Sequence, residues 1–258
     1  MRPLASWQPD GIIGVFTDID DTLTTAGAIT SDALQALADL KAAGLHVVPI
    51  TGRPVGWSEP FAATWPVDAI VAENGSVALV QADGQPLRKL YQQDTATRSA
   101  NFDRMQQVQA HIERTVPGAQ RSRDSGGRET DIAIDHSEFT HLPQAAIDEV
   151  ARLMQAQGMT ATVSSIHING WFGQHSKLTG ARWIVHQLWG RKLDAEIDRW
   201  VYVGDSTNDQ VMFAHFAHSV GVANIRRFAS QLTHPPRYIT PGERGAGFAQ
   251  MARHLLAV

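Results

Sequence analysis

The chain has 258 residues, 43% of them hydrophobic, and a formal net charge of −4 at pH 7. This length allows one large domain or two modest ones with a real hydrophobic core. The slight negative charge and the lack of a long basic run argue against nucleic acid as a partner. The sequence contains no Cys, which excludes structural disulfides and thiol catalysis.

The N-terminus lacks a basic region followed by an apolar stretch, so we expect no signal peptide. No apolar run approaches the length of a membrane span. We therefore expect a cytoplasmic protein that has no membrane partner. These features do not give the oligomeric state.

Strand-like and helix-like patterns alternate at both ends of the chain. The first helix has Ser31 as its expected N-cap and Gly44 just past its end. Strand–helix alternation predicts an α/β fold with a parallel, doubly wound sheet of the Rossmann-like type. In chain order, the predicted elements of this core are a strand at 11–17, a helix at 31–43, strands at 46–51 and 69–73, a helix at 177–188, a strand at 200–204, a helix at 209–216, a strand at 219–222, a helix at 225–232, a strand at 238–240 and a helix at 245–256.

The middle of the chain has a different pattern. Asn74-Gly75 is a strong hairpin signal with apolar residues on both sides, and Asp83-Gly84 repeats it. A smaller α+β cap is therefore predicted at residues 87–168, between core segments 1–86 and 169–258. Its predicted elements are a helix at 101–115, a strand at 130–135, a helix at 142–157 and a strand at 160–168.

Two aspartates follow the first predicted strand. Asp18 and Asp20 are spaced i, i+2, and open α/β sheets place ligands at the carboxyl ends of their strands. Two carboxylates there repel each other unless a cation lies between them, and Mg²⁺ suits hard oxygen ligands. Taken alone, an Asp-rich turn stabilised by local hydrogen bonds accounts for the pair about equally well.

Three later segments favour chemistry over a simple turn. A hydroxyl and a glycine turn follow the strand at 46–51, in Thr51-Gly52-Arg53. Lys177 opens a helix, and the strand at 200–204 runs into the acidic turn Gly204–Asp209. Together these segments supply a nucleophile, a hydroxyl, a lysine and further metal-binding acid. Phosphoryl transfer needs such parts.

In this order the four segments resemble the motifs of the haloacid dehalogenase superfamily of phosphatases. The first motif is Asp18-Ile19-Asp20-Asp21-Thr22, the second Thr51-Gly52-Arg53, the third Lys177 and the fourth Gly204–Asp209. The superfamily often has Gly at the position of Asp21, and we expect this departure to leave the chemistry unchanged.

The resemblance implies a role for each acidic residue. Asp18 becomes an aspartyl phosphate, and Asp20 acts as general acid and then general base. Mg²⁺ is the implied cofactor, held by the Asp18 carboxylate, the Asp20 backbone carbonyl and Asp205. Asp209 joins this metal group either directly or through water, and it orients the third-motif lysine.

The resemblance also implies the residues that hold the substrate. Thr51 and Lys177 bind the phosphate oxygens, and Asn208 supports the metal loop. Arg128, at a predicted strand entrance, is a candidate for substrate contact, although a solvated strand entrance is an equally good interpretation. The predicted substrate-binding residues are Thr51, Gly52, Arg53, Asn74, Arg128, Lys177 and Asn208.

The spacing of the motifs places the cap. About 30 residues separate Asp21 from Thr51, whereas more than 100 separate Thr51 from Lys177. This resembles the subclass with an α/β cap in the second position, which includes sucrose-phosphate, trehalose-phosphate and mannosyl-phosphoglycerate phosphatases. We expect a Mg²⁺-dependent phosphomonoester hydrolase acting on a phosphorylated sugar or a related small metabolite. The alternatives are a phosphosugar mutase of the same fold and a non-catalytic binding protein that retains the fold.

Overall fold

The protein is described by a computed structural model that covers residues 1–81 and 84–257. Its strands are β1 (Arg2–Pro3), β2 (Gly14–Thr17), β3 (Thr24–Thr25), β4 (Ala28–Ile29), β5 (His46–Pro49), β6 (Ile70–Ala72), β7 (Val77–Val80), β8 (Arg88–Tyr91), β9 (Gln120–Arg121), β10 (Ile132–Asp135), β11 (Thr160–Val163), β12 (His167–Trp171), β13 (Trp200–Gly204), β14 (His218–Gly221) and β15 (Tyr238–Ile239). Its α-helices are α1 (Ser31–Ala42), α2 (Val55–Ala62), α3 (Thr95–Thr115), α4 (Gln144–Ala156), α5 (Lys177–Trp189), α6 (Gln210–His215) and α7 (Arg244–Leu256).

A parallel sheet forms the core, in the order β1-β15-β14-β13-β2-β5. Successive residues of β2 enter different hydrophobic clusters: Val15 packs with α1 and α7, and Phe16 packs with α5 and α6. Both faces of the sheet are therefore covered, which explains why its strands read as continuous apolar runs. The predicted doubly wound α/β core is confirmed.

The hairpin predicted at Asn74-Gly75 is confirmed. Strands β6 and β7 pair antiparallel across a single 3₁₀ turn at Glu73–Gly75. Glu73 and Asn74 both have positive φ, at 47° and 55°. β8 extends the pair to a three-stranded sheet, and a parallel bridge from Ile50 to Val71 joins it to the core. The second hairpin signal, Asp83-Gly84, falls partly outside the described residues.

The cap contains an antiparallel sheet in the order β11-β12-β10-β9, and α3 and α4 pack against it. The single strand predicted at residues 160–168 is wrong, because β11 and β12 are two antiparallel strands. The Ser164 hydroxyl accepts hydrogen bonds from the backbone N–H groups of Ile166 and His167, which closes the turn between them.

The other element boundaries differ in smaller ways. The N-cap of α1 is Thr30 rather than Ser31. α3 begins at Thr95, earlier than predicted, because the Asp94 carboxylate accepts a hydrogen bond from the backbone N–H of Thr97. The helix predicted at 225–232 is instead the 3₁₀ helix Ala223–Gln231.

The strand pairing bears on the limits predicted for the cap, residues 87 and 168. β8 pairs with β7 outside the four-stranded sheet, whereas β12 carries that sheet on to Trp171. The cap limits at residues 87 and 168 stay a prediction. None of the described helices is long and apolar enough to cross a membrane.

Candidate active site

The first and fourth motifs meet at the carboxyl edge of the core sheet. β2 and β13 are parallel neighbours with Thr17 opposite Val203, and the Asp18 backbone N–H donates to the Val203 carbonyl over 2.9 Å. The residues that directly follow the two strands, Asp18 and Asp205, are both buried. The strand register therefore brings together two acids that lie far apart in the sequence.

Lys177 reaches this edge from the start of α5. Ser176 caps the helix by accepting from the Thr179 backbone N–H. A Cβ on Gly180 would lie 2.6 Å from the Gly75 Cα, so only glycine lets this helix start pack against the β6–β7 turn. That close approach places the third-motif lysine beside the first-motif aspartates.

The buried ammonium of Lys177 lies between two carboxylates. Its Nζ donates to Asp18 Oδ1 and to Asp209 Oδ1, each over 2.7 Å. Burial alone would lower the pKa of Lys177, but these two carboxylates raise it above the ordinary value. The lysine is therefore charged and offsets part of the negative charge of these carboxylates.

The aspartates at this edge carry more negative charge than one lysine offsets. Carboxylate oxygens of Asp18, Asp205 and Asp209 lie within 4.8 Å of one another. Burial raises the pKa of Asp18 to about 7 against the opposing effect of Lys177, and burial with Asp18 nearby raises the pKa of Asp205 well above its usual range. Asp205 Oδ1 is buried without a hydrogen-bond partner among the described residues. This arrangement fits a divalent cation bound by hard oxygen ligands.

Asp209 differs from the other two acids because both of its oxygens have partners. Oδ1 accepts from Lys177 and from the Tyr202 hydroxyl, and Oδ2 accepts from the backbone N–H groups of Asp205 and Ser206. These contacts favour the indirect role, in which Asp209 orients Lys177 and the metal loop. Direct metal binding by Asp209 stays a prediction.

A ring of contacts that the sequence analysis missed surrounds Asp205. The Asn224 amide donates to Asp205 Oδ2 over 2.9 Å and to the Asp21 carbonyl over 3.0 Å, and it accepts from the Arg244 backbone N–H. The Asp21 carboxylate pairs with Arg244 at 2.9 Å. Asp21 has a φ of 54°, which explains why glycine suits its position. Asn224 lies three residues after the end of β14, and this position near a strand end could have indicated that it belongs to the site.

Asp20 faces the cap through Arg53. The Arg53 Nε–H donates to both Asp20 oxygens, at 2.9 and 3.0 Å. The other guanidinium nitrogens donate to two cap acids, Asp124 over 3.1 Å and Glu138 over 2.7 Å. Burial raises the pKa of Asp20 even though Arg53 opposes it, and a raised pKa suits a general acid. Asp124 and Glu138 had no signal in the sequence.

Arg128 is buried, so the interpretation as a solvated strand entrance is wrong. Its Nη1 donates to the Gly52 carbonyl over 3.0 Å and to Asp131 Oδ1 over 2.7 Å. The amides of Asn74 and Asn169 both donate to Asp131 Oδ2 over 3.2 Å. These residues form a polar bridge between the cap and the second-motif turn. Substrate contact by Arg128 stays a prediction.

A second contact also docks the cap. The buried Glu73 carboxylate accepts from the backbone N–H groups of Val55 in the core and Glu129 in the cap, each over 3.0 Å. A Cβ on Gly56 would lie 2.9 Å from the Gly127 Cα, so two backbones meet there without side chains between them. The cap therefore rests directly on the second-motif turn and α2.

Two cavities flank the buried aspartates, each of about 540 Å³. The Lys177 cavity is lined by the predicted substrate-binding residues Asn74, Lys177 and Asn208. The Asp20 cavity is lined by the acid Asp20 and by Arg53. Its other described lining residues are Asp21, Thr24, Ala26, Gly27, Ala28, Trp57, Glu138, Phe139 and Ile166.

Thr51 is fully buried and lines neither of the two cavities. Its Oγ1 accepts a hydrogen bond from the Arg53 backbone N–H over 3.0 Å, and its carbonyl accepts from the Asn74 backbone N–H over 2.9 Å. These bonds fix the conformation of the second-motif turn, including Gly52.

Residues 15–116 match the family model described as haloacid dehalogenase-like hydrolase. No curated protein matches the sequence. Among solved structures, the chain is similar to protein 0175 of Thermoplasma acidophilum, with 14% identity, 96% of this chain and 99% of that chain covered and a TM-score of 0.72. The chain has the haloacid dehalogenase fold with a cap.

Two phosphatases of this fold are also similar to the chain. The sucrose-phosphatase of Synechocystis, solved with sucrose and phosphate, is 14% identical, with 94% of this chain and 97% of that chain covered and a TM-score of 0.67. A subclass IIB sugar phosphatase is 16% identical, with 95% and 99% covered and a TM-score of 0.64. The resemblance to this superfamily is confirmed at the level of the fold, and the match over residues 15–116 supports a phosphotransferase or hydrolase.

Replacing Asn224 in this haloacid dehalogenase-fold protein tests the ring around Asp205. In Asn224→Ala, the Asp205 carboxylate loses the amide that holds it, and we expect about a tenfold rise in the Mg²⁺ concentration for half-maximal binding. Calorimetric titration of Mg²⁺ measures this directly. Asn101→Ala, in the cap helix α3, is the control, and an unchanged Mg²⁺ affinity in Asn224→Ala would contradict the role.

Removing Arg128 tests the polar bridge. Arg128→Ala leaves Asp131 buried without its cationic partner, and the free energy of unfolding should fall by about 3 kcal/mol. Denaturant titration measures the loss. Adding Asp131→Asn removes the unpaired charge and should restore part of the stability. A double variant no more stable than Arg128→Ala would show that the charge is not the cause.

Proposed function

We propose that this chain is a Mg²⁺-dependent phosphomonoesterase that hydrolyses the phosphate ester of a sugar or related small metabolite through an aspartyl phosphate. The observation that carries the proposal is the position of Asp18, whose carboxylate accepts from the Lys177 ammonium over 2.7 Å and lies within 4.8 Å of an Asp205 oxygen. A nucleophilic carboxylate and a phosphate dianion repel each other, so the reaction needs positive charge at this point.

The residues divide the chemistry between two steps. In the first, an Asp18 oxygen attacks phosphorus while the ester oxygen leaves with a proton from Asp20. In the second, Asp20 takes a proton from the attacking water, and phosphate departs from Asp18. Lys177 and the Thr51 hydroxyl hold the phosphate oxygens, and Arg53 fixes the Asp20 carboxylate through both oxygens.

Asp18, Asp205 and the backbone carbonyl of Asp20 would hold the Mg²⁺, whose chemistry is to offset charge on the nucleophile and the phosphoryl oxygens. The unpartnered Asp205 Oδ1 supports this assignment. The sugar class of substrate is supported by the similarity to a sucrose-phosphatase and a sugar phosphatase.

Asp18→Asn tests the nucleophile. An amide keeps the size of the side chain but does not attack phosphorus, so phosphate release from p-nitrophenyl phosphate should fall at least 1,000-fold, roughly the loss expected when a covalent nucleophile is removed. The melting temperature checks that the variant is folded. Activity within tenfold of the wild type would reject Asp18 as the nucleophile.

Release of free phosphate from sugar phosphates by the wild type separates a hydrolase from a mutase, which returns the phosphate to a sugar.

Asp20→Asn tests the general acid. A sugar alkoxide needs a proton as it leaves, whereas p-nitrophenolate needs little help. Single-turnover formation of the phosphoenzyme should therefore slow more for a sugar phosphate than for p-nitrophenyl phosphate. Equal slowing on both substrates would mean that Asp20 acts mainly through the metal loop rather than as the acid.

A further inference from the structure

The Asp20 cavity is where the leaving group must lie if the proposed phosphatase function holds. Asp20 gives its proton to the departing oxygen, so that oxygen must be within hydrogen-bond reach of Asp20. Asp20 lines this cavity and does not line the Lys177 cavity. The residues around the Asp20 cavity therefore contact the part of the substrate that is released.

The charges around this cavity are mainly negative. Of the described residues that line it, Arg53 is the only cation. Its guanidinium is already shared by Asp20, Glu138 and, just beyond the lining, Asp124. Asp21 is paired separately with Arg244. Three carboxylates thus face one guanidinium, so no unshared cation is found among the described residues that line the cavity.

Both cap acids are ionised at neutral pH. Burial raises the pKa of Asp124, but Arg128 and other nearby cationic groups bring it down to about 2. Burial likewise raises the pKa of Glu138, but hydrogen bonds from His167 and Arg53 lower it below its usual value. Glu138 keeps about a fifth of its side chain exposed, so it can accept hydrogen bonds from a ligand in the cavity.

The remaining wall is apolar and includes two aromatic side chains. Trp57 lies under the Arg53 guanidinium, whose carbon is 5.0 Å from the ring centroid. Phe139 and Ile166 line the cavity from the cap, and Phe139 is largely exposed. Aromatic faces beside hydrogen-bond acceptors suit a ring that has C–H faces and hydroxyl edges.

We propose that the Asp20 cavity binds a polyhydroxylated leaving group that carries no negative charge, and that Glu138 and Asp124 exclude substrates with a carboxylate or a second phosphate there. The two cap acids act as specificity-determining residues. The Glu138 oxygens accept hydrogen bonds from hydroxyl or amino groups and so favour uncharged sugars and amino sugars, and the charge of both cap acids repels anions.

Three probes of the same carbon number test the charge preference: glucose 6-phosphate, glucosamine 6-phosphate and 6-phosphogluconate. Glucosamine 6-phosphate adds a cationic group to the glucose ring, whereas 6-phosphogluconate is an open chain with a carboxylate far from the phosphate. Sorbitol 6-phosphate, an uncharged open chain of the same length, is the matched reference that separates the effect of charge from that of ring opening. We expect kcat/KM for the first two to exceed that for 6-phosphogluconate at least tenfold, the scale expected for one like-charge contact in a partly buried site. p-Nitrophenyl phosphate serves as a reference that lacks the polyol.

Charge-neutralising variants assign the effect to residues. Glu138→Gln and Asp124→Asn should each reduce the preference for glucose 6-phosphate over 6-phosphogluconate several-fold, while the rate on p-nitrophenyl phosphate changes less. Asp148→Asn is the matched control, because Asp148 is an acid that lines the other cavity.

The outcomes separate the inference from the function on which it rests. Equal or better turnover of 6-phosphogluconate would overturn the charge preference while leaving the phosphatase function intact. Hydrolysis of the aryl phosphate without hydrolysis of any of the three probes would likewise overturn the inference and leave the phosphatase function intact. A change of preference in Asp148→Asn but not in Glu138→Gln would overturn the inference, because it would indicate that the leaving group binds in the Lys177 cavity. No hydrolysis of any phosphate ester would overturn the function and the inference together.

Discussion

The buried ammonium of Lys177, held between Asp18 and Asp209, is the contact on which the rest of the site depends. It links a residue at the end of β2, the start of α5 and the loop after β13. A buried lysine is stable only when its charge is paired. The two ion pairs therefore hold these three elements in positions that keep Lys177 next to both carboxylates. Because three carboxylates share one ammonium, the same contact leaves a net negative charge that suits a bound divalent cation.

The cap is coupled to this centre through a second shared cation. Arg53 follows the second motif and donates to Asp20 on the core side and to Asp124 and Glu138 on the cap side. The orientation of Asp20, the proposed general acid, therefore depends on where the cap lies. The Glu73 carboxylate and the Arg128–Asp131 pair reinforce the same docking. Asp20 and the cap are in this way parts of a single hydrogen-bonded unit.

The sequence was sufficient for the core because strand ends in a parallel sheet meet at one edge, which makes Asp18, Thr51 and Asp205 neighbours. It was not sufficient for Glu138 and Asp124, whose partner Arg53 lies 85 and 71 positions away across two packed layers. The strand predicted at 160–168 failed for another reason: Ser164 makes a turn through its side chain within a run of high β propensity.

The central claim is that the buried acids bind a divalent cation. Calorimetric titration of Mg²⁺ into the wild type and into Asp205→Asn tests it most directly, because it measures metal binding without relying on turnover. The account predicts one Mg²⁺ per chain in the wild type and an affinity at least tenfold weaker in the variant, the scale expected when a metal ligand loses its charge. Equal affinity in both proteins, or no Mg²⁺ binding to the wild type, would contradict it.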